Sequence, residues 1–266
     1  MFQTFLAEFA AAWKVFVRIP LPAFLLGEDD GSDLPDQDGH SALLRVMMPL
    51  VGFLLGLIAA LPFWVLNLLP SGRMIAILVG CSVIPLALDM MTSWRSLLAL
   101  TCFIDQRRGG ASLEEALSVD PGSINDSRSG GTLIVMLTLH LAHMILCAVL
   151  ACFAPFWFMT ALTGAWLVRA ELARLNPPGG RNPWIGVPRG WRATHWYVAA
   201  LAMLAAGFLH PLGTLLAYLS AWALAHLAKN YCLDSIGGVN RQALDVFGGA
   251  AELLLMLLGL LLYASV

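Results

Sequence analysis

The chain has 266 residues, 59% of them hydrophobic and 12% charged, against about 45–50% and about 25% in an average soluble domain. These proportions exclude an ordinary soluble protein. The apolar runs recur from end to end, which predicts one polytopic, all-α membrane domain over residues 1–266, and a net charge of −2 argues against nucleic acid as a partner.

The first eighteen residues resemble a signal peptide in hydrophobicity, but Glu8, Lys14 and Arg18 interrupt the run and no small-residue cleavage site follows. Phe2, Phe5, Leu6, Phe9, Trp13, Phe16 and Val17 recur at helical spacing, predicting an amphipathic interfacial helix over 1–18. Pro20 and Pro22 end it. Glu28 to Asp38 holds six acids with Gly31 and Pro35 and reads as a solvated loop. A calcium loop there has the wrong acid spacing and no closing glutamate.

Seven apolar segments follow: 43–69, 74–92, 133–153, 156–175, 193–209, 212–228 and 248–266. Each is near the roughly 20 residues needed to span a bilayer, so about seven transmembrane helices are expected. With the amino terminus in the cytoplasm, every Lys and Arg except Arg73 and Arg169 falls on the cytoplasmic side, thirteen of fifteen. That asymmetry follows the positive-inside rule. It puts the long connections 93–131, 176–192 and 229–247 together at the cytoplasmic face. The five cysteines show no C-x-x-C spacing, and neither disulfides nor zinc are expected.

The first long connection carries Ile124-Asn125-Asp126-Ser127-Arg128-Ser129-Gly130-Gly131-Thr132, directly before an unbroken apolar run. An aspartate holds a divalent cation, an arginine grips phosphate through two parallel bonds, and backbone amides at a helix start face an anion. The same residues also suit a simpler role, with Asp126 or Ser129 capping the helix and Arg128 snorkelling to the interface. Acids within spans are costly, about 2.5–3.5 kcal/mol near the centre, and mark functional candidates. Glu252 has no opposite charge within one turn and needs a partner from another helix or a cation. Asp89 ends the second span, and Glu171 has Arg174 three residues on for a partner. His140 and His143 share one helix face, as ligands or, more commonly, as hydrogen-bonded packing groups. Tryptophans 157, 184, 191, 196 and 222 fit interface belts. Arg181 lies in an irregular Pro/Gly loop, 176–183, suited either to phosphate or to the plain interface.

Several patches together resemble the adenosylcobinamide-GDP ribazoletransferases, or cobalamin synthases. Phe16-Val17-Arg18-Ile19-Pro20-Leu21-Pro22 is similar to the family's F-x-T-R-L-P-x-P, and Met48-Pro49-Leu50-Val51-Gly52-Phe53-Leu54-Leu55-Gly56 to its F-P-L-x-G-x-x-x-G. The stretch 125–132 resembles R-D-S-R-x-G-T, Arg169 falls where a family helix carries arginine, and Gly237-Gly238-Val239 with Gly249-Ala250-Ala251-Glu252-Leu253 resembles G-G-x-T-G-D-x-x-G-A-x-x-E. The patches keep their order over almost the whole chain. The family's acidic H-x-D-G-x-x-D-x-x-D-G motif is replaced: the L-A-x-T frame survives at Leu98-Ala99-Leu100-Thr101, but Leu100 and Phe103 stand where carboxylates belong, and Asn240-Arg241-Gln242 replaces T-G-D.

The resemblance implies a multi-pass enzyme of the cell (inner) membrane with a cytoplasmic site. It would join α-ribazole or its phosphate to adenosylcobinamide-GDP, with Mg2+ as cofactor and release of GMP. Asp126 and Arg128 would be catalytic. Ser127, Gly130, Gly131, Arg169, Arg181, Gly237 and Gly238 would bind substrate. Asp126 and Glu252 would hold metal, with Asp89, Asp105 and Asp245 replacing the lost acids. The alternatives are a non-catalytic relative that binds a corrinoid, a CDP-alcohol-type phosphotransferase, whose D-G-x-x-A-R signature is missing, or a transporter, in which Glu252, Asp89, His140 and His143 would form a polar pathway but for which neither a repeat between the two halves nor an interrupted-helix pair is found.

Overall fold

The computed structural model describes residues 6, 9, 10, 12–14, 17, 41–69, 72–92, 94–118, 130–175, 194–207 and 210–263, with side chains from 45 and from 132 in the segments beginning at 41 and 130. Beyond residue 40 the described residues form nine α-helices and no strand: α1 (Ser41–Asn67), α2 (Gly72–Met91), α3 (Arg95–Arg108), α4 (Leu113–Ser118), α5 (Gly130–Phe153), α6 (Trp157–Leu172), α7 (Thr194–Ala206), α8 (Pro211–Ile236) and α9 (Arg241–Tyr263). Five of them are long and apolar enough to cross a membrane: Arg45–Asn67 of α1, α2, Thr132–Phe153 of α5, α8 and α9. They present large exposed apolar side chains such as Met74, Leu78, Ile134, Leu212 and Leu261. A surface this apolar needs lipid around it, and the chain is a membrane-embedded helical protein.

All sixteen residues of α6 are buried, and α1, α7, α8 and α9 pack around it. Close approach is achieved through small residues. A Cβ on Gly56 would run into the backbone of Met159, and one on Gly52 into Leu162 O and the Trp166 ring. The Gly52-x-x-x-Gly56 spacing therefore lets α1 lie directly on α6, the small-residue packing that lipid-facing bundles depend on. At one end of the bundle, the ring of Phe156 stacks on His210 at 4.9 Å, Tyr263 meets both edge-on, and Trp157 Nε1 donates to Leu255 O at 2.7 Å. The starts of α6 and α8 thus share an end with the finish of α9, so α6 and α8 run in the same direction and α9 antiparallel to both.

The opposite end is built from short elements. Helix α4 opens with a reciprocal cap in which Ser112 N–H donates to Glu115 Oε2 at 2.7 Å and Glu115 N–H to Ser112 Oγ at 3.2 Å. These bonds, the backbone donor first, hold the exposed Glu115 carboxyl below the ordinary carboxylate range. Asn240 caps α9 by accepting from Ala243 N–H at 2.8 Å and donates to Leu117 O at 2.7 Å, while Gln242 Nε2 donates to Ala99 O at 3.1 Å. Together these bonds dock the start of α9 on α3 and α4.

Two connections differ from the sequence reading. Residues 229–247 form no loop: α8 continues to Ile236 and α9 begins at Arg241. Hydropathy falls at Lys229, but the backbone ladder continues until Gly237, whose φ of 65° closes a left-handed αL cap with Gly237 N–H donating to Leu233 O, while Gly238 N–H donates to Cys232 O. The connection 93–131 likewise contains α3 and α4. At the amino terminus, Phe9, Ala10, Ala12, Trp13 and Val17 are buried in the common core.

Gly56→Val is expected to cost about 1–3 kcal/mol by overpacking the α1–α6 contact, read as a lowered thermal midpoint in detergent, with lipid-facing Leu78→Ala nearly neutral. An unchanged midpoint for G56V would contradict the close approach.

Candidate functional site

Arg169, near the end of α6, is 4% exposed. Its guanidinium lies over the Trp166 ring at 4.9 Å, and Nη2 donates to Ser96 Oγ on α3 at 2.6 Å. Space for it is made by Gly248 on α9, where a Cβ would overlap the guanidinium. Next to it, Gly249 admits Ser96 and Leu100, whose side chains would crowd a Cβ at 3.0 and 2.9 Å. The glycine pair therefore seats both Arg169 and α3 against α9. Arg169 Nη1 is buried and has no hydrogen-bond partner, an arrangement that costs about 1–3 kcal/mol unless something accepts from it.

Arg169 faces a cavity of about 30 Å³, also lined by Asp89, Ser96, His143 and Glu252. That volume holds about one water molecule or one small ion. Each carboxylate faces a histidine of α5 without a well-formed hydrogen bond: Asp89 Oδ2 and His140 Nδ1 are 3.4 Å apart, and Glu252 Oε1 and His143 Nε2 are 3.6 Å apart. Asp89 Oδ2, His140 Nδ1 and His143 Nε2 are buried and lack hydrogen-bond partners. Four helices thus aim two carboxylates, the His143 imidazole and the Arg169 guanidinium at the same small space, with His140 behind Asp89, and leave polar atoms of Asp89, His143 and Arg169 without partners. A small polar occupant bridging them is the physical expectation for contacts of this length.

Glu171, two residues beyond Arg169, is the opposite case. It is 1% exposed and saturated. Arg174 Nη1 donates to both its oxygens at 2.8 and 2.9 Å, His195 Nε2 hydrogen-bonds to Oε2 at 2.8 Å, Trp196 Nε1 donates to Oε2 at 3.2 Å, and Lys229 Nζ reaches Oε1 at 3.4 Å. A carboxylate with this many donors is a structural anchor, with no lone pair left for chemistry.

The remaining predicted residues divide clearly. Asp105 accepts from Thr132 Oγ1 at 2.6 Å, tying the start of α5 to α3. Asp245 sits within electrostatic reach of Arg169, Arg241 and Arg95, one turn before Gly249. Gly130 and Gly131 open α5, and Gly237 and Gly238 form the cap of α8, where their backbone is already engaged. Asp126, Ser127, Arg128 and Arg181 lie outside the described residues. Asn240 and Gln242, in the stretch that replaces T-G-D, serve as interhelical hydrogen-bond donors.

Among the described residues no group of three or more His, Cys, Asp or Glu side chains is close enough to enclose a metal ion. Magnesium does not require such a cage: it commonly takes one or two carboxylates and completes its octahedron with water and substrate phosphate. Asp89, with an orphaned Oδ2, and Glu252 fit that role. The sequence grouped His140 and His143 with the two acids only as a transporter's polar pathway and paired neither, and it held no sign of Ser96 or of the assembly on Glu171; its signals were the unpaired intramembrane acids, the shared histidine face and the glycine pair ahead of Glu252.

The fold and site define a helical membrane protein with a buried, incompletely satisfied cluster of ionisable groups. In comparisons with known proteins, no family model, no curated protein and no solved structure matches the chain.

The two classes of acid predict opposite stability effects. Glu171→Ala strands Arg174, Lys229 and buried His195 and is expected to cost about 3–5 kcal/mol, whereas Glu252→Gln stays within about 1 kcal/mol of wild type because little bonding is lost. Equal destabilisation of the two variants in denaturant or thermal unfolding would contradict this division.

Proposed function

We propose that the chain is a magnesium-dependent membrane phosphotransferase of the adenosylcobinamide-GDP ribazoletransferase kind, with seven membrane crossings, an amino terminus in the cytoplasm and a site at the cytoplasmic end of the bundle. The single observation that carries the reading is that Asp89, Glu252 and the unpaired Nη1 of Arg169 share one cavity. Two carboxylates and a guanidinium with one unpaired nitrogen supply what transfer of a phosphorylated group needs: a cation holder and a phosphate clamp. In this reading α6 and α7, shorter than the five long helices, complete the seven crossings.

The transfer is a displacement at phosphorus. The ribose hydroxyl oxygen of α-ribazole, or of its phosphate, bonds to the phosphorus carried by cobinamide. The bond from that phosphorus to the GMP oxygen breaks, and GMP leaves. Bound magnesium supplies charge neutralisation to the phosphate oxygens. Asp89 and Glu252 hold that charge, and their histidines His140 and His143 orient them. Arg169, fixed by Ser96 and Trp166, donates through Nη1 to a non-bridging oxygen. His140, whose Nδ1 has no hydrogen-bond partner, would accept the hydroxyl proton beside Asp89. The cavity has room for one small ion, so the phosphate would meet that ion and Arg169 at its mouth, and the corrinoid and guanosine remain outside, toward the connections at that end. Asp126 and Arg128, outside the described residues, precede α5 in sequence and would complete the clamp. Because the reaction needs little covalent work from the protein, positioning and charge do most of it.

Lipid-reconstituted protein with Mg2+ is expected to release GMP from adenosylcobinamide-GDP in the presence of α-ribazole, and chelator to abolish release. Asp89→Asn, Glu252→Gln and Arg169→Ala should each lower turnover by about 10²–10³. A folded sample that binds a corrinoid equally well with and without chelator and releases no GMP would instead identify a non-catalytic relative.

A further inference from the structure

A second cavity lies on the other side of α6, independent of the proposed reaction. It is a cleft of about 470 Å³ whose floor is Glu171 and whose walls are Arg174, Trp196, Tyr218, Trp222, His226 and Lys229, within the 300–1,000 Å³ range of ligand sites. Its aromatic rings brace one another: Trp196 meets Tyr218 edge-on at 6.1 Å, Trp222 lies 4.4 Å from His226, and Trp196 lies 5.9 Å from His226.

The charge balance here is positive. Glu171 is a single carboxylate facing Arg174 and Lys229, which keep 29% and 28% of their side chains exposed. Arg174 engages Glu171 through Nη1 alone, and the Lys229 contact is long at 3.4 Å. Arg45, 3% exposed, lies within electrostatic reach of both Glu171 and Arg174, and its Nε and Nη2 have no hydrogen-bond partner. Three permanent cations around one saturated carboxylate leave a net positive site, which favours an anion.

The surroundings decide what kind of anion. Leu219 lines the cleft, and on the same helix Leu212, Leu215 and Leu216 form an exposed apolar surface leading away from it. A polar, cationic and tryptophan-rich cavity opening onto a lipid-facing helix has the chemistry of a phospholipid headgroup site: phosphate between Arg174 and Lys229, glycerol against the rings, acyl chains along α8. We infer that this cleft binds an anionic phospholipid, through its phosphate, as a resident lipid of the bundle. A zwitterionic headgroup brings its own ammonium toward Arg174 and Lys229 and is disfavoured.

The test is native mass spectrometry of the full chain in detergent with equal amounts of phosphatidylglycerol and phosphatidylcholine, and in a separate arm with inorganic phosphate. The expected result is retention of phosphatidylglycerol over phosphatidylcholine. Lys229→Gln should weaken that preference by about fivefold, as for loss of one interfacial cation. Lys229→Arg should keep it, and Arg73→Gln, at the opposite end of the bundle, should leave it unchanged. Equal retention of the two lipids, full selectivity in a K229Q sample that elutes as wild type, or displacement of the lipid by inorganic phosphate alone would overturn the proposal.

Discussion

Arg169 and Glu171 are two residues apart on a helix that is buried along its whole length. At about 100° per residue, their side chains leave α6 on nearly opposite sides. Neither charge can be left bare in a low-dielectric interior, so each requires its own partners from other helices. Arg169 draws in Ser96 from α3 and the glycine pair of α9; Glu171 draws in His195 and Trp196 from α7 and Lys229 from α8. The assignment of neighbours around the central helix follows from these two residues. Small-residue contacts such as Gly52 and Gly56 on α1 then bring the backbones close enough for the partners to reach.

The two sides are finished to different degrees. The Glu171 carboxylate is saturated, with every lone pair directed at a donor, and what it leaves over beside it is positive charge. On the Arg169 side, Asp89, His143 and Arg169 keep buried polar atoms without partners around a space for one small ion or water, and His140 Nδ1, facing Asp89, is unpaired as well. A stable bundle would gain by replacing such groups with apolar side chains. Their presence is accounted for if the missing partners arrive with a ligand, and carboxylates beside a guanidinium point to a cation with a phosphate.

Much of the scaffold was legible in the sequence because hydropathy reports burial in lipid directly. The long apolar helices α1, α2, α5, α8 and α9 overlap the expected segments. Where α8 ends was not legible from hydropathy, because Lys229, Asn230 and Asp234 are polar yet remain helical until Gly237 supplies a left-handed cap. The candidate site was half legible. Glu252 and Asp89 stood out because an acid in a span demands an explanation, but the partners came from helices far away in sequence: His143 for Glu252, His140 for Asp89. No periodicity encodes such pairings. Arg169 could be matched to a family position, yet its dependence on Gly248 and Ser96 arises only from packing. The Glu171 assembly was seen only as its local pair with Arg174, since His195 and Lys229 are 24 and 58 residues away.

The central claim is that Asp89 and Glu252 act together on one divalent cation. Titration of Mn2+, as a paramagnetic stand-in for Mg2+, into lipid-reconstituted protein and monitored by electron paramagnetic resonance tests it most directly. The account predicts saturable binding that competes with Mg2+ and weakens at least about tenfold in the Asp89→Asn, Glu252→Gln double variant, the effect of losing both carboxylate ligands. Binding of equal strength in wild type and double variant would contradict it.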